Sequence, residues 1–273
     1  MIYMTGRESK ILVPGMWSGG EVKSNDFPAF GSGDFYLETR ITNSHEMMHL
    51  LLLGDHFQAR PSCNVKSITI GYFPYGRADR EMNREPNGCR ASAKLIRNAF
   101  PHTHIEVIDA HNPRVLECFG IYNRYPYFWN TVPATEATVV APDAGSAERA
   151  HKFYSRFSAT NASNFIQCSK SRDSNRNPVT VLPEDEIKDR CVIVDDIIDG
   201  GRTFIDLASK LRRKGAKRVD LVVTHGIFSN GFNIPDIDNI YTTNTFLNLS
   251  TKNDFSVDTS AVPANIKVYK EIG

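Results

Sequence analysis

The sequence predicts an α/β protein built on mostly parallel sheets, and three observations predict it. Short apolar strands alternate with stretches of helical period along the whole chain of 273 residues. Several of the strands run into carboxylates, a histidine or glycine turns, as expected where an open parallel sheet meets a ligand. The length suits one large unit or two domains of ordinary size with ample core. Composition agrees with a globular chain: 41% of residues are hydrophobic, 23% are charged and the formal net charge is +1. That balance gives no reason to expect nucleic acid or a membrane as partner.

The N-terminal residues 1–15 lack the continuous apolar stretch of a signal peptide. The run MMHLLLLG at 47–54 is too short to cross a bilayer and is expected as a buried strand. Residues 67–76 read as a strand and loop. Residues 90–100 read as a helix with Ala91, Leu95, Ile96 and Ala99 on its apolar face. Residues 105–112 form a strand ending in Asp109 and His111. The aromatic, proline-bearing segment 121–135 has no clear period, and a domain boundary is expected near its end, giving domains 1–136 and 137–273. Beyond it come a strand and glycine turn at 135–146 carrying Asp143, a helix near 147–157 and a strand at 164–168. The polar segment 169–186 is expected to be a functional or disordered loop. Further strands follow at 192–194, 221–226 and 239–246. The five cysteines are scattered without CxxC spacing, so reduced thiols and a cytoplasmic setting are expected.

The stretch VIVDDIIDGGRTF, residues 192–204, carries the most chemistry. Its aliphatic start is a buried strand. Phe204, Leu207, Ala208 and Leu211 mark one face of the following helix, which Gly215 closes. Asp199, Gly200, Gly201, Arg202 and Thr203 therefore bridge the carboxyl end of a strand and the N-terminus of a helix. Glycines there let backbone N–H groups approach an anion, and the helix end favours negative charge. Thr203 adds a hydroxyl and Arg202 a fork for phosphate oxygens. Asp195 and Asp196 would repel a phosphate but suit the hydroxyls of a sugar, or a metal beside it. The stretch reads as a sugar-phosphate site.

This stretch resembles the ribose-phosphate binding motif of the phosphoribosyltransferases. Four blocks taken in order, GYFPYGRADREMNREPNGCRASAKLI, VIDAHN, VVAPDAGSAERA and LVVTHGIFSNG, resemble the ribose-phosphate diphosphokinases. The resemblance spans about Gly19 to Phe246. It implies two similar phosphoribosyltransferase-type domains, the first with the nucleotide loop and the second with the sugar-phosphate loop. It implies transfer of the β,γ-diphosphoryl group of ATP to the anomeric hydroxyl of ribose 5-phosphate, with Mg2+ as cofactor. By the same resemblance His111 meets magnesium and the ATP phosphates, and Asp143 is a second metal-linked position. Lys170 and Arg172 match the cations of a mobile catalytic loop. Arg77, Asp79 and Arg80 match the nucleotide-contacting loop, and Phe30 matches an aromatic that stacks on adenine from a neighbouring subunit. A homo-oligomer, dimer or hexamer, is implied in turn.

Departures from the family pattern leave the acceptor open. The usual Asp-Thr-X-Gly-Thr loop is here Asp199-Gly200-Gly201-Arg202-Thr203, which loses a hydroxyl and gains a guanidinium. Ala78 stands where a glutamine is usual, Ser32 where a carboxylate or amide is usual, and the chain is shorter than typical members. ADP-ribose, an acceptor in NAD+ salvage by divergent relatives, is the alternative substrate. A phosphoribosyltransferase that consumes the product, and a non-catalytic regulatory subunit, are the further readings.

Overall fold

A computed structural model describes residues 1–6, 9–13, 15–23, 27, 31–81, 84–157, 164–172, 178–246, 260 and 262–272, the side chains of 172, 178 and 179 excepted. Among these residues the packing forms two units. The first comprises Met1–Pro126, joined by Glu271 and Ile272; the second runs from Tyr127 and includes the last strand. The sequence-based division at 136 remains a proposal, supported by the start of the second large sheet at Ala137.

The first unit holds a six-stranded sheet. Strands β1 (Ile2–Thr5) and β2 (Lys10–Leu12) pair antiparallel, and β1 pairs antiparallel with β5 (Gly33–Thr39). The two-residue strands β3 (Gly15–Met16) and β4 (Val22–Lys23) form a separate ribbon. From β5 the sheet continues in parallel through β6 (Cys63–Ile70), β7 (His104–Ile108) and β8 (Ile121–Arg124). Helices α1 (Ser44–Gln58), α2 (Gly88–Ala99) and α3 (Pro113–Glu117) supply the crossovers that parallel pairing requires. Leu50 and Leu53 of α1 and Ala93 and Ile96 of α2 pack with Ile68, Ile70, Ile105 and Val107 of the sheet.

The second unit is a parallel six-stranded sheet in the order β10-β9-β13-β14-β15-β16. Its strands are β9 (Ala137–Ala141), β10 (Asn164–Gln167), β13 (Arg190–Ile198), β14 (Arg218–Gly226), β15 (Asn239–Thr243) and β16 (Ile266–Tyr269). A hairpin of β11 (Ser169–Arg172) and β12 (Pro178–Val181) stands apart from that sheet. Helix α4 (Ala147–Tyr154) follows β9, and α5 (Arg202–Arg213) follows β13. Every residue of β9 is buried, as a strand covered on both faces requires. Phe204, Leu207, Ala208 and Leu211 of α5 are all buried, as their spacing predicts, and Gly215 follows the helix in a left-handed conformation, φ 114°.

Three sequence expectations are corrected. The run 47–54 lies inside α1, not in a strand. Residues 44–58 contain no β-branched side chain, and the helix has a built start: Asn43 accepts the backbone N–H of Glu46 at 3.0 Å. Glu46 in turn accepts the backbone N–H of Thr42, the residue before the cap, at 2.7 Å and its hydroxyl at 2.8 Å. The second correction concerns α2, whose buried face is Cys89, Ser92, Ala93 and Ile96, while Leu95 is half exposed. The third concerns 169–186, whose first residues form a paired strand; 173–177 lie outside the described residues.

His49 of α1 gives the first unit a pH dependence. It is buried, stacked on Phe27 with ring centres 5.1 Å apart, and its Nδ1 has no partner among the described residues. Burial, helped by the N-terminal ammonium, pushes it from its ordinary 6.5 down to about 4. Between those values the unfolded chain binds a proton that the folded chain refuses. The contribution is therefore intact above the ordinary value and fades as pH falls through the window. A loss of roughly 3 kcal/mol is expected across it. Urea midpoints of wild type and His49→Phe at neutral and mildly acid pH check this: the variant should show the flatter profile.

Candidate functional site

The order of strands in the second sheet reverses between β9 and β13. In an open parallel sheet, ligands bind at the carboxyl ends of strands at such a point. The turn after β9 carries Asp143, and the end of β13 carries Asp195 and Asp196. The loop 199–201 then leads into α5, whose first two residues are Arg202 and Thr203.

Gly201 opens α5 in a left-handed conformation, φ 77°, which glycine adopts without penalty. Its carbonyl accepts the N–H groups of Phe204 and Ile205, both at 3.0 Å, starting the helix. Arg202 is exposed; Asp199, Gly200 and Thr203 are half buried. The loop after β14 is tied to this one. Ile198 O accepts the N–H of Ile227 at 2.8 Å, and Asn230 donates through Nδ2 to Gly200 O at 3.2 Å.

Asp195 and Asp196 share one cation. Arg149 of α4 places Nη1 3.7 Å from Asp195 Oδ1 and 3.7 Å from Asp196 Oδ1. Arg149 and Asp196 are buried, and Asp195 has only a narrow opening to solvent. Burial and then the Asp196 carboxylate push the Asp195 carboxyl well above the usual range, against the pull of Arg149.

Lys170 lies on β11, with Thr180 of β12 opposite it. Thr180 O also accepts Lys210 Nζ of α5 at 2.6 Å, so the hairpin is anchored to the helix that starts at the glycine loop. The Lys170 ammonium, half exposed, pairs with the Asp143 carboxylate. Asp143 Oδ1 accepts the Ser146 N–H at 3.1 Å. Burial alone would raise Asp143, but Lys170 and the backbone N–H groups of Ser146 and Gly145 hold it below the usual carboxylate range. Arg172 ends the same strand.

In the first unit, Asp79 links two of the sequence blocks. Its carboxylate accepts Asn112 Nδ2 at 2.7 Å, and its carbonyl accepts Asn87 Nδ2 at 2.7 Å from the cap of α2. Arg80 lies 3.9 Å from the same carboxylate. His111 is exposed beside this loop, its Cβ 3.7 Å from where a Cβ on Gly76 would stand. Arg77 is exposed as well. Asp79 thus ties the loop that presents Arg77 and Arg80 to the segment after β7 that presents His111. Phe30 lies outside the described residues.

Sequence reading missed Arg149, Asn230 and Asn112. A signal for the first existed: two adjacent acids in a buried strand demand a buried cation. Asp143 is a hard, ionised oxygen donor of the kind magnesium takes. No group of three or more His, Cys, Asp or Glu side chains gathers among the described residues. A magnesium ion here would complete its shell with phosphate oxygens and water.

This combination of parallel sheet, acid pair and glycine loop defines a phosphoribosyltransferase-type α/β protein, and residues 119–254 match the phosphoribosyl transferase domain family. Relatives narrow the class. A ribose-phosphate pyrophosphokinase of Mycoplasmopsis pulmonis is 31% identical over 252 residues, covering 85% of this chain and 76% of that protein. One from Thermotoga maritima is 30% identical over 250 residues, covering 85% and 77%. The fold matches the phosphoribosylpyrophosphate synthetase from Mycobacterium smegmatis with a TM-score of 0.68 over 94% of this chain and 85% of that one, at 19% identity. The chain belongs to the ribose-phosphate pyrophosphokinase family and is an enzyme of it. Among the described residues no helix is long and apolar enough to cross a membrane.

Proposed function

We propose that this enzyme transfers the β,γ-diphosphoryl group of ATP to the anomeric hydroxyl of ribose 5-phosphate, giving phosphoribosyl pyrophosphate and AMP. The observation that carries this reading is the acid pair Asp195–Asp196 leading into the glycine loop of α5 where the strand order reverses. The acids suit the sugar hydroxyls, and the loop N–H groups with Thr203 suit the 5-phosphate. In the reaction the anomeric oxygen bonds to the β-phosphorus while the bond from that phosphorus to the α,β-bridging oxygen breaks. AMP leaves with the electron pair, and the hydroxyl proton passes to solvent. Arg77, Asp79, Arg80 and His111 are assigned to ATP, and Lys170 and Arg172 to the diphosphoryl group in transfer. Magnesium would offset charge on the ATP phosphates, with His111 and Asp143 each assigned a part in binding it. Stacking of adenine on Phe30 of a neighbouring subunit makes a homo-oligomer part of the proposal.

The exposed guanidinium of Arg202, on the first residue of α5, favours a second reading in which ADP-ribose is the acceptor. A diphosphate offers the fork more oxygens than a monophosphate. Mass spectrometry of products from Mg-ATP with each acceptor separates the two. AMP and phosphoribosyl pyrophosphate are expected with ribose 5-phosphate. AMP only with ADP-ribose would move the assignment to the larger acceptor, and AMP with neither would overturn both.

Arg202→Ala should raise the KM of ribose 5-phosphate about tenfold and leave that of ATP little changed, the worth of a charged hydrogen bond. If ADP-ribose is the acceptor, its KM should rise more. Unchanged kinetics for both acceptors would remove the reason for considering the larger one.

A further inference from the structure

Two carboxylates side by side in a buried strand repel each other, and burial disfavours the charge on both. The pair can act as a hydrogen-bond acceptor for sugar hydroxyls only if at least one carboxylate stays ionised and both stay in place. Asp195 N–H and Asp196 N–H belong to the ladder region of β13, where neighbouring residues face opposite sides of the sheet. Asp195 Oδ1 is turned back to accept the Asp196 N–H at 2.9 Å. Arg149 reaches one oxygen of each acid at the same distance, 3.7 Å. That distance makes each contact Coulombic, not a hydrogen bond. Charge is offset without a hydrogen bond from Nη1 to either oxygen.

The cation is itself fixed. Arg149 lies on the face of α4 that also buries Ala150 and Phe153, and α4 leads directly from the turn bearing Asp143. Arg190 of β13 is paired with Asp220 of β14, and two further titratable side chains on adjoining elements have partners of their own. His225 of β14, opposite Ile197, has its Nδ1 2.7 Å from Thr245 Oγ1. Asp143, beyond β9, is paired with Lys170.

We propose that Arg149 is a positioning residue for the acceptor sugar: it holds Asp195 and Asp196 together and keeps at least one of them ionised for the sugar hydroxyls. The inference rests on the proposed function and deepens it, since it gives the acid pair a working charge state and names the group that sets it.

Steady-state kinetics of wild type, Arg149→Met and Arg149→Lys test it, with ribose 5-phosphate and ATP varied in turn. Arg149→Met should raise the KM of the acceptor about tenfold or more while that of ATP stays within about twofold. Removing the positive charge makes the acids harder to ionise. The acid limb of kcat/KM for the acceptor should therefore move to higher pH. Arg149→Lys, which keeps the charge, should recover most of both effects. Equal loss toward both substrates with an unmoved acid limb would show a merely structural role and overturn the inference, as would a lysine variant no better than methionine. If Arg149→Met does not fold, Arg149→Gln, which is polar and uncharged, takes its place under the same criteria. A wild type that releases no AMP with either acceptor sinks the proposed function itself, before any substitution is compared.

Discussion

Lys170→Ala is expected to lower turnover by two to three orders of magnitude while leaving the KM of ATP nearly unchanged. The ammonium stands on a strand whose register is set by β12 and whose partner Thr180 is tied to α5 by Lys210. Its position is therefore determined by backbone pairing, and only the end of the side chain has to move. In the ligand-free protein that end is held by Asp143. When the diphosphoryl group is in flight, negative charge builds on oxygens a cation can meet, and the interaction is stronger then than in the ground state. Such an interaction lowers the barrier without tightening substrate binding. Loss of one comparable donor costs about 2.7–4 kcal/mol, or roughly 100- to 1,000-fold in turnover. Lys170→Arg, keeping a cation of different shape, should retain part of the rate. Initial-rate kinetics with ATP varied at saturating acceptor measure both constants. Normal turnover with only a raised KM would show that Lys170 binds ATP and takes no part in transfer.

The parts of this site that were legible in the sequence are those where local pattern and chemistry coincide. The face of α5 was readable because Phe204, Leu207, Ala208 and Leu211 repeat at helical spacing directly after a glycine loop. Asp143 and the acid pair were readable because each follows a short apolar run that could only be a strand end. Helix α1 was not, because four consecutive leucines erase the period that separates helix from strand; the capping pair Asn43 and Glu46 carried the signal instead. Strands β1 to β4 are two to four residues long, too short for alternation to show. Arg149 escaped because its meaning lies in residues far along the chain: only the parallel pairing of β9 with β13 brings α4 to the acids. Lys170 was expected on a mobile loop, since hairpin partners are set by register, and the polar composition of 169–186 gives none.

Gly201→Val should damage the acceptor site and the second unit's stability together, and the two effects can be separated. At φ 77° a residue with a Cβ is strained, and a β-branched one more so. A Cβ there would also stand 2.8 Å from Cδ1 of Ile234, which is buried in the core of this unit. Backbone strain of about 1–2 kcal/mol and overpacking of about 1–3 kcal/mol are expected. Ile234 can yield by a rotamer change, so the sum is an upper bound on lost stability. The loop has less freedom. Gly201 O starts α5 through Phe204 and Ile205, and Gly200 O is held by Asn230, so relief of strain must turn the N–H groups that would face a phosphate. Acceptor affinity should therefore fall further than stability does. Gly201→Ala, with the left-handed strain and the same Cβ contact but no γ carbons, should lose less stability and still bind acceptor poorly. Urea midpoints give the stability of each variant, and calorimetric titration with ribose 5-phosphate gives the affinity. A valine variant that is less stable yet binds the acceptor as wild type does would mean that the loop N–H groups do not hold the phosphate.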